Sequence, residues 1–161
     1  MLESCKSAQE RWGGVHQLID RWLEERRQLL VSYNRLCSTL KDKGQISSEQ
    51  LEAFREWLVD YLSAGHFEIY EQLLHEAEAF DDREAIALLD TSLPLLHDST
   101  QALMQQEDRL TPLALSSLDA TLSTTGELLA ERFEHEDLLI ERLHAVHAPL
   151  VTDTDPETAE A

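Results

Sequence analysis

Chemistry in this 161-residue chain would have to come from its histidines and carboxylates. His16, His66 and His97 fall on apolar helical stretches, and Glu136 lies on the inner face of the last of them, a donor set of three imidazoles and one carboxylate that suits a metal ion. The spacing argues against that use. Ligands on one bundle helix pair at i,i+3 or i,i+4 so that both face inward, yet the residue four past His66 is Tyr70, and Glu71 sits five away. Arg132 stands where a second imidazole would be needed, and a fixed cation opposes a metal. The alternative is an inner polar layer of His16, His66, Tyr70, His97, Arg132 and Glu136, in which Arg132 and Glu136 pair at i,i+4 and His66 and Tyr70 complete the hydrogen bonds. No metal and no other cofactor is expected.

A faint repeat keeps the metal alternative in view. LSAGHFEIYEQLL (62–74) lies over LLAERFEHEDLLI (128–140), and VHQLIDRWL (15–23) over LHDSTQALM (96–104), which brings His16 onto His97 and His66 onto Arg132. Such matched halves resemble the hemerythrin-like bundles, and that resemblance implies a metal- or oxygen-binding protein.

A second feature is an aromatic on the polar side of a helix. Asp60, Ala64, Phe67 and Glu71 follow one another at spacings of four, three and four, opposite the apolar stripe, and so form one line. Phe67 is then exposed among carboxylates, where it could anchor a partner while the charges steer the encounter. Leu18, off the centre of its own helix's stripe, extends the patch. The competing account packs Phe67 sideways between helices, like its aligned mate Phe133.

The elements that position these residues are all helical. Leu, Glu, Ala, Gln and Arg dominate, and alternating β-branched runs are few. A first helix, bent or interrupted at Gly13-Gly14, runs to about Leu40, where LKDKGQ makes a turn. Ser47 and Gln50 form a capping box that starts the second helix, which reaches Phe80. Asp81-Asp82 caps a short connecting helix to Asp90. Thr91-Ser92 caps a third helix over Leu93 to Asp108, with Pro94 in its first turn and Thr111-Pro112 beyond its end. The fourth helix runs from about Leu115 to Val146. Short connections predict an antiparallel up-and-down four-helix bundle over residues 1–150, followed by a disordered acidic tail, 151–161.

Charge narrows the function. Asp and Glu number 32 against 13 Lys and Arg, a net −19, and removing the tail's four carboxylates still leaves 28 against 13, or −15. Such a field repels phosphate, so neither direct nucleic-acid binding nor an anionic membrane is expected, whereas a basic protein partner is favoured. No apolar run is long enough to span a membrane, and two cysteines, Cys5 and Cys37, without CxxC spacing suit a reducing, cytoplasmic setting.

The segments WGGVHQLIDRWLEERRQLLVSYNRL (12–36), LVDYLSAGHFEIYEQLLHEAE (58–78) and LLAERFEHEDLLIERL (128–143) resemble the regulator-of-sigma-D family, the Rsd/AlgQ proteins of gammaproteobacteria, with the closest likeness to the AlgQ branch. The resemblance spans about residues 1 to 146. It implies an anti-sigma factor, a helical bundle that binds region 4 of the primary sigma factor of RNA polymerase and favours alternative sigma factors, with AlgQ-like control of alginate and virulence genes. It further implies that Asp60 pairs with a sigma arginine, that Phe67 and Leu18 supply apolar contact, and that Glu71 is a rim charge. An additional signalling-protein partner is compatible with this role. No catalytic residue is expected, since a nucleophile elbow, a phosphate loop and HExxH are all missing from the sequence.

Overall fold

The structure is a computed structural model, and it describes residues 7–111 and 117–152. Among these residues every regular element is helical. Helix α1 runs Ala8–Lys43, α2 Ser48–Ala64, a π turn Gly65–Ile69, α3 Tyr70–Ala79, α4 Arg83–Arg109, α5 Leu118–Leu143, a 3₁₀ turn Ala145–His147, and α6 Ala148–Thr152. The π turn joins α2 to α3 without a loop, so the long segments number four: α1, α2 with α3, α4, and α5.

Local chemistry sets their ends. The Ser7 hydroxyl accepts from the Glu10 amide at the start of α1, and Gly44 closes that helix with φ of 69°, a left-handed conformation that glycine adopts without steric cost. The Ser47–Gln50 capping box is present in both halves. The Asp82 carboxylate accepts from the Ala85 amide and starts α4.

Three boundaries differ from the sequence expectation. Helix α1 is continuous through Gly13-Gly14, held on either side by Trp12, whose indole N–H donates to the His144 carbonyl at 3.0 Å, and by buried Val15. The expected connecting helix and third helix are one helix, α4, with Pro94 inside it. Ala85, Leu89, Ser92, Leu96 and Leu103 make one uninterrupted buried face, while Asp90 and Pro94 are exposed, so the hydrogen bond that proline removes is lost on the water side. Helix α6 carries the chain to Thr152, two residues into the expected tail. Residues 153–161, Cys5, Pro112 and the expected helix start at Leu115 lie outside the described residues.

The core is one cluster drawn from all four segments. Trp22, Leu29 and Leu36 of α1 pack with Phe54, Leu58 and Tyr61 of α2, Leu73 of α3, Leu89, Leu96 and Leu103 of α4, and Leu122, Leu129 and Leu139 of α5. Each of these is at most 2% exposed. Such a core holds polar side chains only where each finds a partner.

Candidate functional site

The π turn decides what α2 shows to solvent. Tyr70 donates its backbone N–H to the Gly65 carbonyl, five residues back rather than four. Gly65 allows this turn to lie against the core, since a Cβ there would stand 3.1 Å from Tyr70 Oη and 3.3 Å from the Trp22 ring. Trp22 in turn stacks on Tyr61 at 5.1 Å and meets Tyr70 edge-on at 6.0 Å. With Tyr70 drawn inward, Phe67 stands outward in the same turn and is 81% exposed. The sideways-packed alternative for Phe67 is thereby removed. Its aligned mate Phe133 is half-buried beneath the Arg26 guanidinium at 4.5 Å and edge-on to Tyr61.

The other residues of that face divide. Asp60 is exposed on α2, whereas Ala64 and Leu18 are half-buried and packed against the core. Glu71 is exposed but leaves the expected line. One extra residue in the π turn sets everything after it back by roughly a quarter turn, so a spacing of four past Phe67 no longer means the same face.

Two further carboxylates belong to this face and were not singled out in the sequence. The Glu25 carboxyl is held above its ordinary value, first by burial and then by the nearby charges of Asp60 and Glu68, with Arg21 opposing. One of its oxygens, Oε2, is buried with no hydrogen-bond donor among the described residues. Crowded like charges are what an incoming cation would relieve.

Beneath the face lies the polar layer. Glu136 accepts from Tyr61 Oη at 2.7 Å and from Tyr70 Oη at 2.6 Å, and Arg132 Nε stands 3.5 Å from its Oε2. Arg132 also donates to Thr100 Oγ1 at 2.8 Å, to the Leu96 carbonyl at 3.2 Å and to Tyr70 Oη at 2.9 Å. Arg26 Nε donates to Tyr61 Oη at 3.0 Å, and its other end meets Asp137 at 2.5 Å. Burial raises the Glu136 carboxyl, against the pull of Arg132 and the two phenols. Burial, reinforced by the Glu136 charge, likewise pushes Tyr61 and Tyr70 well above the usual phenol value. Both phenols therefore stay protonated as donors to Glu136, and the layer binds four segments together.

Of the residues expected there, Tyr70, Arg132 and Glu136 meet in this layer. His66 stands at its edge, bonded to Thr100 Oγ1 at 2.5 Å, with its imidazole pushed below the usual value by burial and then by Arg132 and His97. His97 is not interior: it is exposed and bonded to Gln101. His16 is elsewhere altogether. Arg26 and Tyr61 complete the layer instead. Tyr61 was legible as an i+3 continuation of Leu58 on the buried face of α2, and Arg26 as the residue four past Trp22.

His16 belongs to a second polar cluster. Its Nδ1 is 3.0 Å from His144 Nε2, and both rings stack on Trp12. Glu76, fully buried, faces His144 Nδ1 at 2.5 Å and His147 Nδ1 at 2.8 Å, and the far nitrogen of His147 donates to Asp82 at 3.0 Å. Asp82 is held down to about 2, chiefly by hydrogen bonds from Arg142. These contacts fasten the end of α5 and the 3₁₀ turn to α1, α3 and the start of α4. The signal for this cluster was Glu76, three past Leu73 on the buried stripe of α3.

His66 and His97 are edge-on neighbours at 6.1 Å, while His16 packs with His144, so the three imidazoles considered for a metal ion do not converge. Among the described residues no group of three or more His, Cys, Asp or Glu side chains is arranged to hold a metal ion. No helix among them is long and apolar enough to cross a membrane.

The family model described as "Regulator of RNA polymerase sigma(70) subunit, Rsd/AlgQ" matches residues 1–144. Among curated relatives, the "Regulator of sigma D" of Pectobacterium atrosepticum is 39% identical over 153 residues, covering 89% of this chain and 99% of the relative. That of Pectobacterium carotovorum is 40% identical over 149 residues, covering 87% and 96%. That of Salmonella typhi is 38% identical over 148 residues, covering 87% and 90%. No solved structure matches the chain.

Proposed function

Because this chain belongs to the Rsd/AlgQ family of regulators of the RNA polymerase sigma(70) subunit, we propose that it is an anti-sigma factor that binds region 4 of the primary sigma factor. Binding withholds that region from core polymerase and from the promoter, and alternative sigma factors gain. AlgQ-like control of alginate and virulence genes would follow from that competition. The role is non-enzymatic and cytoplasmic, and an additional signalling protein is a compatible second partner.

The observation that supports this role best is Phe67, 81% exposed beside Asp60, Glu68 and Glu25. A DNA-reading domain carries a basic surface, and a basic surface is the complement of this face. In the proposed complex a sigma arginine pairs with Asp60, and its charge offsets the crowding of Asp60, Glu68 and Glu25. Phe67 is the apolar anchor, Leu18 and Ala64 form the floor behind it, and Glu71 remains a rim charge. Short connections at 44–47 and 80–82 favour the antiparallel up-and-down arrangement of the four segments.

Co-purification tests the proposal. Region 4 of the primary sigma factor, immobilised, is expected to capture the wild-type chain and to lose it on Asp60→Ala or Phe67→Ala. Because both side chains are exposed, the melting temperature of each variant should stay near that of the wild type. Undiminished capture of both variants would remove this face from the interaction.

A further inference from the structure

The face around Phe67 continues into a cleft between α2 and α4 that has two chemically different halves. One half, about 370 Å³, is apolar, with Val59, Leu62, His66 and Phe67 on one side and Thr100 and Met104 on the other. The other half, about 300 Å³, begins at the same Val59 and is lined by Glu52, Glu56, Asp60 and the pair Arg55–Glu107. Arg55 Nε is 2.6 Å from Glu107 Oε1, so the one cation of that half is already matched by a carboxylate. Glu52, Glu56 and Asp60 are exposed at i, i+4 and i+8 on a single face of α2, and none of them makes an ion pair among the described residues. Like charges at this spacing weaken a helix. Arg55, the one cation of α2, is engaged with Glu107.

Extending the sigma-binding role proposed above, we infer that this cleft receives a basic amphipathic helix of the sigma partner. Its apolar side chain seats against Met104 and Phe67, and its arginine or lysine side chains lie over Glu52, Glu56 and Asp60. Shape and charge both select this occupant. From residue 52 to residue 67 the cleft wall runs roughly 22 Å at the rise of a helix, the length of about four helical turns. The centres of the two halves lie about 10 Å apart by the same rise, so the anchor and the cations of the partner stand about two turns from one another. A second copy of this chain, at net −19, would bring carboxylates to carboxylates, and the acidic half likewise repels phosphate.

The test is affinity for purified primary sigma factor at two ionic strengths, with melting temperatures as a check on folding. Met104→Lys places a charge on the α4 wall, which the face of Asp60 and Phe67 does not use, and should weaken binding about tenfold or more. His97→Lys, at the exposed rim of the same half, gives a second reading should Met104→Lys fold poorly. The double variant Glu52→Lys/Glu56→Lys should weaken binding and flatten its dependence on salt. If these variants bind as the wild type does while Phe67→Ala binds weakly, the cleft is overturned as the docking site and the α2 face stands. If the wild type does not bind the sigma factor, the sigma-binding role is overturned, and this site with it.

Discussion

At the scale of single residues, the account turns on which groups the fold leaves unfilled. Glu25 is the clearest case, a carboxyl raised by burial and by Asp60 and Glu68, with one oxygen lacking a donor. A carboxyl raised in the folded state stabilises the fold below its ordinary value, and that contribution is lost as pH rises through the folded value. Glu25→Gln is therefore expected to raise the melting temperature at pH 7, with the gap closing as pH falls below the ordinary value of 4.5, while binding to the sigma factor weakens. Melting curves across pH and one titration against the partner check both halves of this expectation. Arg132 is a fully buried cation whose terminal nitrogens donate to Thr100 and Tyr70, while its Nε has only the Glu136 charge 3.5 Å away and no hydrogen-bond acceptor. Arg132→Met leaves Glu136 buried without its closest cation and should cost about 3 to 5 kcal/mol, read by denaturant unfolding. Arg132 and Glu136 were legible from their i,i+4 spacing on a buried face. Their partners Tyr61 and Arg26, and Glu76 of the second cluster, were harder to find because each sits along an apolar stripe, where periodicity marks burial but not what a polar atom meets.

At the scale of elements, the capping box at Ser47 and the end at Gly44 were legible because each depends on a side chain or glycine at a fixed offset. The π turn was not. GHFEI has no composition that separates it from the helix on either side, and the extra residue is accommodated by contacts that Trp22 and Tyr70 make across the core. The continuity of α4 through Pro94 was missed for a related reason, since the buried face on the far side of the helix outweighs one exposed hydrogen bond. Close approach between elements gives its own test at Gly126. A Cβ there would lie 2.2 Å from Tyr33 Oη, a phenol bonded to the Leu122 carbonyl at 2.7 Å and pushed up to about 12 by burial. Gly126→Ala should destabilise the chain by about 1 to 3 kcal/mol, and Tyr33→Phe in the same chain should recover part of that loss, a coupling that a double-mutant cycle measures.

At the scale of the whole molecule, the charge of −19 takes on a location. Glu52, Glu56, Asp60, Glu68 and Glu25 gather on the side of α2 that also carries Phe67, so the excess has a direction as well as a size. Association with a basic partner should slow steeply between about 0.05 and 0.5 M salt, while dissociation changes little, and stopped-flow kinetics would register that asymmetry. The second polar cluster, around Glu76, fastens the end of α5 and the 3₁₀ turn instead. The most direct test of the central claim is to titrate the isotope-labelled chain with sigma region 4 and follow its backbone resonances. The account predicts that the shifts concentrate at Asp60, Phe67 and Met104; shifts confined to His144, His147 and α6 would contradict it.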